Sequence, residues 1–406
     1  MSALQTFVLG PWRAVLQTFV LGPWRAVLVL AVTQILAWGA IYYPPVLTVP
    51  LIAADRGCSV TLTMGGFSFG LLIAGLASPR VGALIDRYGG HRVMPGGSLI
   101  GAAGLVGLVY ASDSVAYFAC WMALGLAMSA SLYDPAFATL GRVFGMATRP
   151  PITALTLAGG FASTVSWPTT HLLIDAVGWR GTYLVYAALL ALVAAPLHAF
   201  LLPRGKVRPE VAASTATPTP PSVLPARGIT FTLVAAAFAS YAFVPSGLAA
   251  HMLAIFGRLG LDAATVVTIG ALFGPAQVTA RLFDFALIRN LHPLRMVRFA
   301  VGLLLVAFAL LASFGLSVAI AAVFAIMFGA ANGLVTISRG TLPLALFGAA
   351  GYGRIAAPAQ IMQSAAPLLL AFVIERASDR AALAVVAGFA LVALACFALV
   401  RRPPRS

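Results

Sequence analysis

Charge is scarce in this chain. Only 9% of its 406 residues are Asp, Glu, Lys or Arg while 61% are hydrophobic, a balance that a water-soluble fold of this length does not tolerate on its surface. A sizeable soluble domain is thereby excluded, because twelve bilayer-spanning helices of ~20 residues each leave only short loops and one linker. Cysteine is nearly absent too. Cys58, Cys120 and Cys396 have no ligand-like spacing and cannot all pair, so neither a disulfide framework nor a zinc site is expected, and they read as packing residues. No Walker loop, H-E-x-x-H or Cys-pair motif occurs, which leaves ATP-driven transport and metalloenzyme chemistry without residues to work with. Gly66-Phe67-Ser68-Phe69-Gly70 fits G-x-S-x-G, but it lies inside a hydrophobic run, and no His and acid complete a triad. No catalytic residue, metal or cofactor is therefore expected, and the chain is read as a non-enzyme.

What the sequence does have is hydrophobic length. Runs long enough to span recur at 26–53, 61–84, 93–111, 115–144, 151–176, 180–202, 229–257, 263–288, 296–313, 317–347, 355–374 and 381–400. Residues 203–228, rich in Pro, Ser, Thr and Ala, cannot bury themselves and read as a flexible cytoplasmic linker. The expected organisation is a tail (1–25), a six-helix bundle (26–202), the linker, a second six-helix bundle (229–400) and a short tail (401–406). Residues 4–15 are repeated unchanged at 16–27, which reads as a duplicated start region rather than a structural repeat. The net charge of +15 also has a position. With both termini cytoplasmic, 18 of the 25 Arg and Lys residues fall in or beside inner loops and tails and five in outer loops, leaving Arg281 and Arg339 inside spans. That excess orients the chain by the positive-inside rule, so the basic surplus calls for no nucleic-acid partner.

Between the second and third spans stands Gly82-Ala83-Leu84-Ile85-Asp86-Arg87-Tyr88-Gly89-Gly90-His91-Arg92. It resembles the G-x-L-x-D-R-x-G-x-[RK]-[RK] loop of the major facilitator superfamily, in the place that family has it. Physically, Gly82 lets two helices approach closely, and Asp86 caps or bridges to a neighbouring helix end. Arg87, His91 and Arg92 stay at the cytoplasmic face to make and break contacts in gating. The resemblance extends over the whole chain and implies an all-α membrane protein of twelve transmembrane helices in two pseudo-symmetric six-helix bundles. In the second half the loop is degenerate, with Arg289 where the motif has its Asp. Two motifs of proton-coupled drug exporters are missing: Trp121 stands where R-x-x-x-G has its Arg, and Thr156–Ser163 lacks the Gly-Pro pair.

An ionisable group at membrane depth costs ~2.5–3.5 kcal/mol on the most lenient scale, so Asp134, Arg281, Asp284 and Arg339 are functional candidates. Gln277, Arg281 and Asp284 are spaced i, i+4, i+7 and share a helix face, as do Asn332, Thr336 and Arg339. Arg281 resembles the helix-8 Arg that oxalate:formate exchangers and monocarboxylate transporters use on the substrate carboxylate, a task suited to a planar, permanently charged fork. Asp284 supports the competing reading, a pair that makes Arg281 structural. Asp134 and Arg339, at equivalent depth on opposite halves, either pair as a closing contact or form a proton and substrate site. Gln34, Trp38 and Tyr42 lie too deep for an interfacial belt and read as cavity lining, and Ser163, Trp167 and Thr170 share a face of the fifth span. His251 reads as a solvated helix-end residue rather than a proton carrier.

The sequence thus points to a monomeric secondary active transporter of the cytoplasmic (inner) membrane that moves a small organic solute, an organic anion in first place, by alternating access. Protons or a counter-solute are the candidate drives. The substrate-binding candidates are Arg281, Arg339, Gln34, Trp38, Tyr42, Asn332, Gln277, Tyr241 and Gln360; the proton-coupling or gating candidates are Asp134, Asp284, Asp86, Arg87 and Arg92. The alternative is an exporter of neutral or cationic hydrophobic compounds, followed by a non-transporting receptor or intramembrane enzyme. A cysteine introduced in 203–228, at Arg402 or in the Asp86–Arg92 loop is expected to react with a membrane-impermeant maleimide only from the cytoplasm; labelling from outside intact cells reverses the orientation.

Overall fold

The computed structural model describes residues 22–144, 149–204, 228–284, 292–347 and 349–400. Most of the duplicated start, nearly all of the linker, the loop holding Arg289 and the tail 401–406 lie outside the described residues. Among those described, every regular element is helical. Helix α1 (Arg25–Ala37) passes through a π-helical turn, Trp38–Tyr42, and Pro44 into α2 (Pro45–Arg56). Then come α3 (Val60–Tyr88), α4 (Gly90–Tyr110), α5 (Ser114–Ser131), α6 (Tyr133–Phe144), α7 (Arg149–Gly159) and α8 (Ala162–Leu189). π-Helical segments at Leu190–Ala194 and Leu197–Leu201 extend α8. The second half contains α9 (Ile229–Arg258), α10 (Ala263–Ala271), α11 (Phe273–Phe283), α12 (Pro293–Phe314), α13 (Val318–Phe347), α14 (Ala349–Arg376) and α15 (Asp379–Leu399).

Eleven helical runs among the described residues are long and apolar enough to cross a membrane, and one of them, Pro150–Leu201, has 52 residues. At 1.5 Å per residue that run is ~78 Å long, more than twice a hydrocarbon core of ~30 Å. Gly178 divides it, with φ 70 and ψ 174, a conformation that a side chain would strain. The fifth and sixth expected spans are therefore two crossings joined at a glycine, which brings the crossings to the twelve read from the hydrophobic runs. Several spans among the described residues are less regular than their hydropathy suggests: the fifth is interrupted between Gly159 and Ala162 and the sixth carries the two π-helical segments. The first contains the π turn, the fourth breaks at Leu132 (φ −87, ψ −155) and the eighth is jointed at Leu272 between α10 and α11.

The chain forms two compact units. The first comprises Met1–Tyr42, Leu76–Ala162 and Arg180–Ser214, and the second Tyr43–Gly75, Ser163–Trp179 and Thr215–Ser406, so α3 and α8 each contribute to both. In the first unit α4 packs along α5 through small residues. A methyl group added at Gly97 would stand 2.6 Å from the Ala130 Cβ, and one at Gly104 2.9 Å from Leu124, so these glycines set the helix separation. Cys120 fills the space beside Gly107, whereas Cys58 is exposed at a turn, which corrects its reading as a packing residue.

In the second unit a continuous apolar core from α9 to α15 includes Phe238, Phe243, Phe324 and Phe397. Polar ties close its edges. Arg258 at the end of α9 grips Asp379 at the start of α15 with N–O distances of 2.6 and 3.0 Å, and Arg298 on α12 donates to the carbonyls of Phe397, Ala398 and Val400 that end α15. Outside the spans, Asp262 caps α10; hydrogen bonds from Thr265, side chain first and then backbone, hold its carboxyl below the ordinary range.

Adjacent glycines of α4 separate packing from propensity. Gly97→Val is expected to lower the thermal midpoint of the purified protein, at ~1–3 kcal/mol for overpacking. Gly96 has no described atom within 4 Å of an added methyl, so Gly96→Ala is expected to leave the midpoint unchanged or raise it.

Candidate functional site

In the first unit the break at Leu132 organises the polar residues of the first span. Gln34 has no exposed surface, and its amide nitrogen donates to the carbonyls of Ser131 and Leu132 at 2.7 and 3.2 Å; the first lies four residues before Pro135, which has no N–H to give it, and the second also accepts from the Ala136 N–H at 3.3 Å. Its amide oxygen accepts from the Trp38 indole at 3.2 Å. Gln34 is thus a tie within the unit, with its amide committed to other helix atoms rather than facing open space. Trp38 and Tyr42 are half-buried. Their rings meet edge-on at 4.7 Å, Trp38 lies 5.2 Å from Tyr133, and Tyr133 stacks on Phe137 at 5.3 Å. Gly159 makes room for the Tyr133 hydroxyl. Asp134, in the first turn of α6, is exposed next to this aromatic group. Tyr133 was not anticipated from the sequence, because its position depends on a helix break that hydropathy does not mark.

The Gly82–Arg92 motif, expected as a loop, is helical on both sides of a single joint: Gly82–Tyr88 ends α3, Gly90–Arg92 starts α4, and Gly89 joins them at φ 85. Among the described residues nothing lies within 4 Å of a methyl added at Gly82; the close approach expected there is found at Gly90, which presses on Thr139. Asp86, Arg87 and Arg92 are exposed, with Arg87 over the Tyr88 ring at 5.1 Å. Arg142 on α6 donates to the carbonyls of Ile85 and Asp86, which places a cation at the negative end of α3.

In the second unit two glycines bring α13 against α11. A methyl at Gly333 would stand 2.6 Å from the Gln277 carbonyl oxygen, and Gly329 meets the Phe273 carbonyl in the same way. The two candidate triplets are therefore on helices in direct backbone contact. Gln277 and Arg281 are 7% and 5% exposed, Asp284 is half-buried at the end of α11, and Asn332 and Arg339 are half-buried on α13. Thr336 is exposed and donates to the Asn332 carbonyl at 2.7 Å. Asp134 and Arg339 belong to different units.

The remaining candidates of this unit surround α14, which contains Pro358 and Pro367. A proline has no N–H for the carbonyl four residues before it, and the freed Gln363 carbonyl accepts from Ser246 at 2.7 Å. The Pro367 carbonyl accepts from His251 Nε2 at 2.8 Å. His251 is 3% exposed, so its reading as solvated is corrected: it is a buried tie from α9 to the Pro367 carbonyl of α14. On α3, Ser68 accepts from the Leu368 N–H at 3.0 Å, and Gln360 reaches back to the Leu71 carbonyl at 3.3 Å over Gly75. Tyr241 is 4% exposed on α9, and its hydroxyl has no partner among the described residues. No group of His, Cys, Asp and Glu able to hold a metal occurs among the described residues.

Twelve crossings, jointed spans and a Gly-Asp-Arg loop after the second helix form a recognisable set, and the sequence profile of the Major Facilitator Superfamily matches residues 27–366. The chain belongs to the major facilitator superfamily. It is 33% identical over 153 residues to human monocarboxylate transporter 11, a match that covers 37% of this chain and 31% of the length of that relative. Among solved structures it is similar to a bacterial homolog of the human lysosomal transporter Spinster, in an inward-facing and occupied conformation. The TM-score is 0.67 at 13% identity, over 93% of this chain and 98% of that one. It is also similar to the human organic anion transporter MFSD10, with TM-score 0.64 and 17% identity over 92% and 99% of the two chains. At these identities the likeness is one of fold. The chain is thus a multi-pass membrane protein of a transporter superfamily, and the match to the monocarboxylate transporter spans less than a third of that relative's length.

The commitment of Gln34 can be tested directly. Gln34→Leu keeps the volume but leaves the Ser131 and Leu132 carbonyls without its donors, and is expected to cost ~1–3 kcal/mol, read as a lower thermal midpoint without ligand. An unchanged midpoint would return Gln34 to the cavity-lining role.

Proposed function

We propose that this transporter moves a small organic anion by alternating access and that Arg281 holds the anionic group. The observation that carries this reading is the burial of Arg281 at 5% exposure on the same face as Gln277, on a helix pressed against the glycines of α13. A guanidinium kept at membrane depth is costly and suits a bidentate oxyanion. Asn332 and Arg339 on the adjoining helix add a donor and a second cation. The names of two similar proteins, a monocarboxylate transporter and an organic anion transporter, agree with this choice. The proposal places the protein in the cytoplasmic membrane as a monomer with both termini inside, two six-helix bundles at 26–202 and 229–400, and transport driven by protons or a counter-solute. Asp86, Arg87 and Arg92 act in gating.

A second reading has its own observation. Exposed Asp134 beside the rings of Trp38, Tyr42 and Tyr133 suits a hydrophobic cation, which aromatic faces and a carboxylate attract together.

The two readings part at Arg281. Arg281→Lys keeps the charge and loses the fork, so benzoate binding is expected to weaken about tenfold or more with the fold intact, and Arg281→Ala to abolish it. If Arg281 serves only to neutralise Asp284, Arg281→Ala with Asp284→Ala restores the stability that the single change removes, and benzoate binding never depended on either. Binding of tetraphenylphosphonium lost on Asp134→Asn, with benzoate ignored by the wild type, establishes the second reading instead.

A further inference from the structure

We propose that Ser163 and Trp167 form a second contact point for the transported solute, offering a hydroxyl and an indole N–H to a carboxylate or carbonyl oxygen, with Tyr43 and Phe273 against its apolar body. The inference rests on the organic-anion reading and adds an acceptor-binding subsite to it.

Ser163 and Trp167 are one turn apart on α8 and share a face. Each is 1% exposed, and neither the Ser163 hydroxyl oxygen nor the Trp167 Nε1 has a hydrogen-bond partner among the described residues. Their neighbour Thr164 shows what this stretch does with a polar group when the fold uses it: its hydroxyl donates to the Ala271 carbonyl at 3.0 Å. An indole N–H buried in hydrocarbon surroundings without an acceptor opposes folding, and phenylalanine would fill much of the same space without that penalty.

The ring is held firmly by its other edges. A methyl added at Gly270 would stand 2.8 Å from Trp167 Cε3 and 3.0 Å from Cζ3, so the benzene edge lies on α10, and covalent geometry puts the N–H on the opposite edge. Tyr43 meets the indole edge-on at 5.5 Å and Phe273 lies at 6.5 Å. Tyr43 follows directly after the π-helical turn Trp38–Tyr42, a kind of irregularity common where helices serve function. Ser163 stands in the first turn of α8, which runs from Ala162 to the joint at Gly178 and whose N-cap, Phe161, supplies no side-chain bond, so the positive end of the helix dipole adds to the two donors. An indole N–H only donates, which fixes the ligand atom as an acceptor and favours an anionic oxygen over an amine.

The test uses the full-length protein purified in nanodiscs, with benzoate as probe and thermal shift and equilibrium binding as readouts. Trp167→Phe removes the N–H and keeps most of the ring; Ser163→Ala removes the hydroxyl. Each is expected to weaken benzoate binding to the folded protein about fivefold or more; the midpoint without ligand stays the same or rises for Ser163→Ala, because an unpartnered polar group has gone, whereas Trp167→Phe also gives up the ring edge packed at Gly270 and lowers it. If both variants bind benzoate like the wild type while Arg281→Lys binds it weakly, the subsite is overturned and the anion reading stands; packing around a trapped water then explains the residues. A fall in the unliganded midpoint of Ser163→Ala, with binding to the folded fraction unchanged, also overturns the subsite. Should Trp167→Phe fail to fold, Ser163→Ala decides alone. Failure of the wild type to bind benzoate, lactate and citrate overturns the anion reading and this inference with it.

Discussion

Hydrocarbon supplies no hydrogen-bond partner, so any backbone group released where a helix bends, breaks or ends has to be taken by a side chain of the same protein. Much of the polar content of this chain is spent on that requirement. Gln34 takes the Ser131 carbonyl left without a donor before Pro135, Ser246 takes the one freed by Pro367, and His251 on α9 and Ser68 on α3 bond the backbone of the same turn of α14. Arg142 and Arg298 do the same for the ends of α3 and α15. These bonds join elements far apart in sequence, and each couples a local irregularity to the tertiary packing around it. An irregular span in lipid is therefore a sign of a paired side chain elsewhere.

The same logic explains why the candidate site depends on residues that carry no chemistry. Arg281 and Asn332 sit on α11 and α13, and the separation of those helices is set where Gly329 and Gly333 meet the carbonyls of Phe273 and Gln277. A side chain at Gly333 would push α13 away from α11 and shift every polar group on it, while leaving the charges themselves untouched. In the first unit, Gly159 and the break before Tyr133 together place the Tyr133 ring against Trp38. The positions of binding groups are set by backbone approach, and their chemistry acts only after that.

This division also decides what could be read from the sequence. Hydropathy and the Gly82–Arg92 loop are properties of residue type and order, so the spans and the family were legible. The gap between the runs 151–176 and 180–202 was legible as well, and the joint at Gly178 falls within it. The break at Leu132 and the joint at Leu272 were not, because a change of backbone dihedral inside an apolar run leaves its hydropathy untouched. Gln34 was found as a polar residue at depth and His251 was read as solvated at a helix end, because a helix face says nothing about which carbonyl a neighbouring helix offers. Gly82 and Gly90 are equally small, and among the described residues only the position of Thr139 shows which of them bears a close contact.

Once the polar side chains serving the backbone are identified, those that do not serve it stand out. Ser68, Ser246, His251 and Gln360 all give or accept a bond that another helix needs, and a substrate that claimed one of them would have to leave a backbone group bare. Ser163, Trp167 and Tyr241 carry no such obligation among the described residues, although they are as deeply buried. A solute oxygen reaching them displaces nothing and relieves a donor that burial had left unsatisfied, so its binding draws on free energy the folded protein had already given up. For a transporter this matters, because a site whose polar groups are idle when empty can be filled and emptied without disturbing the bonds that hold its helices in the membrane.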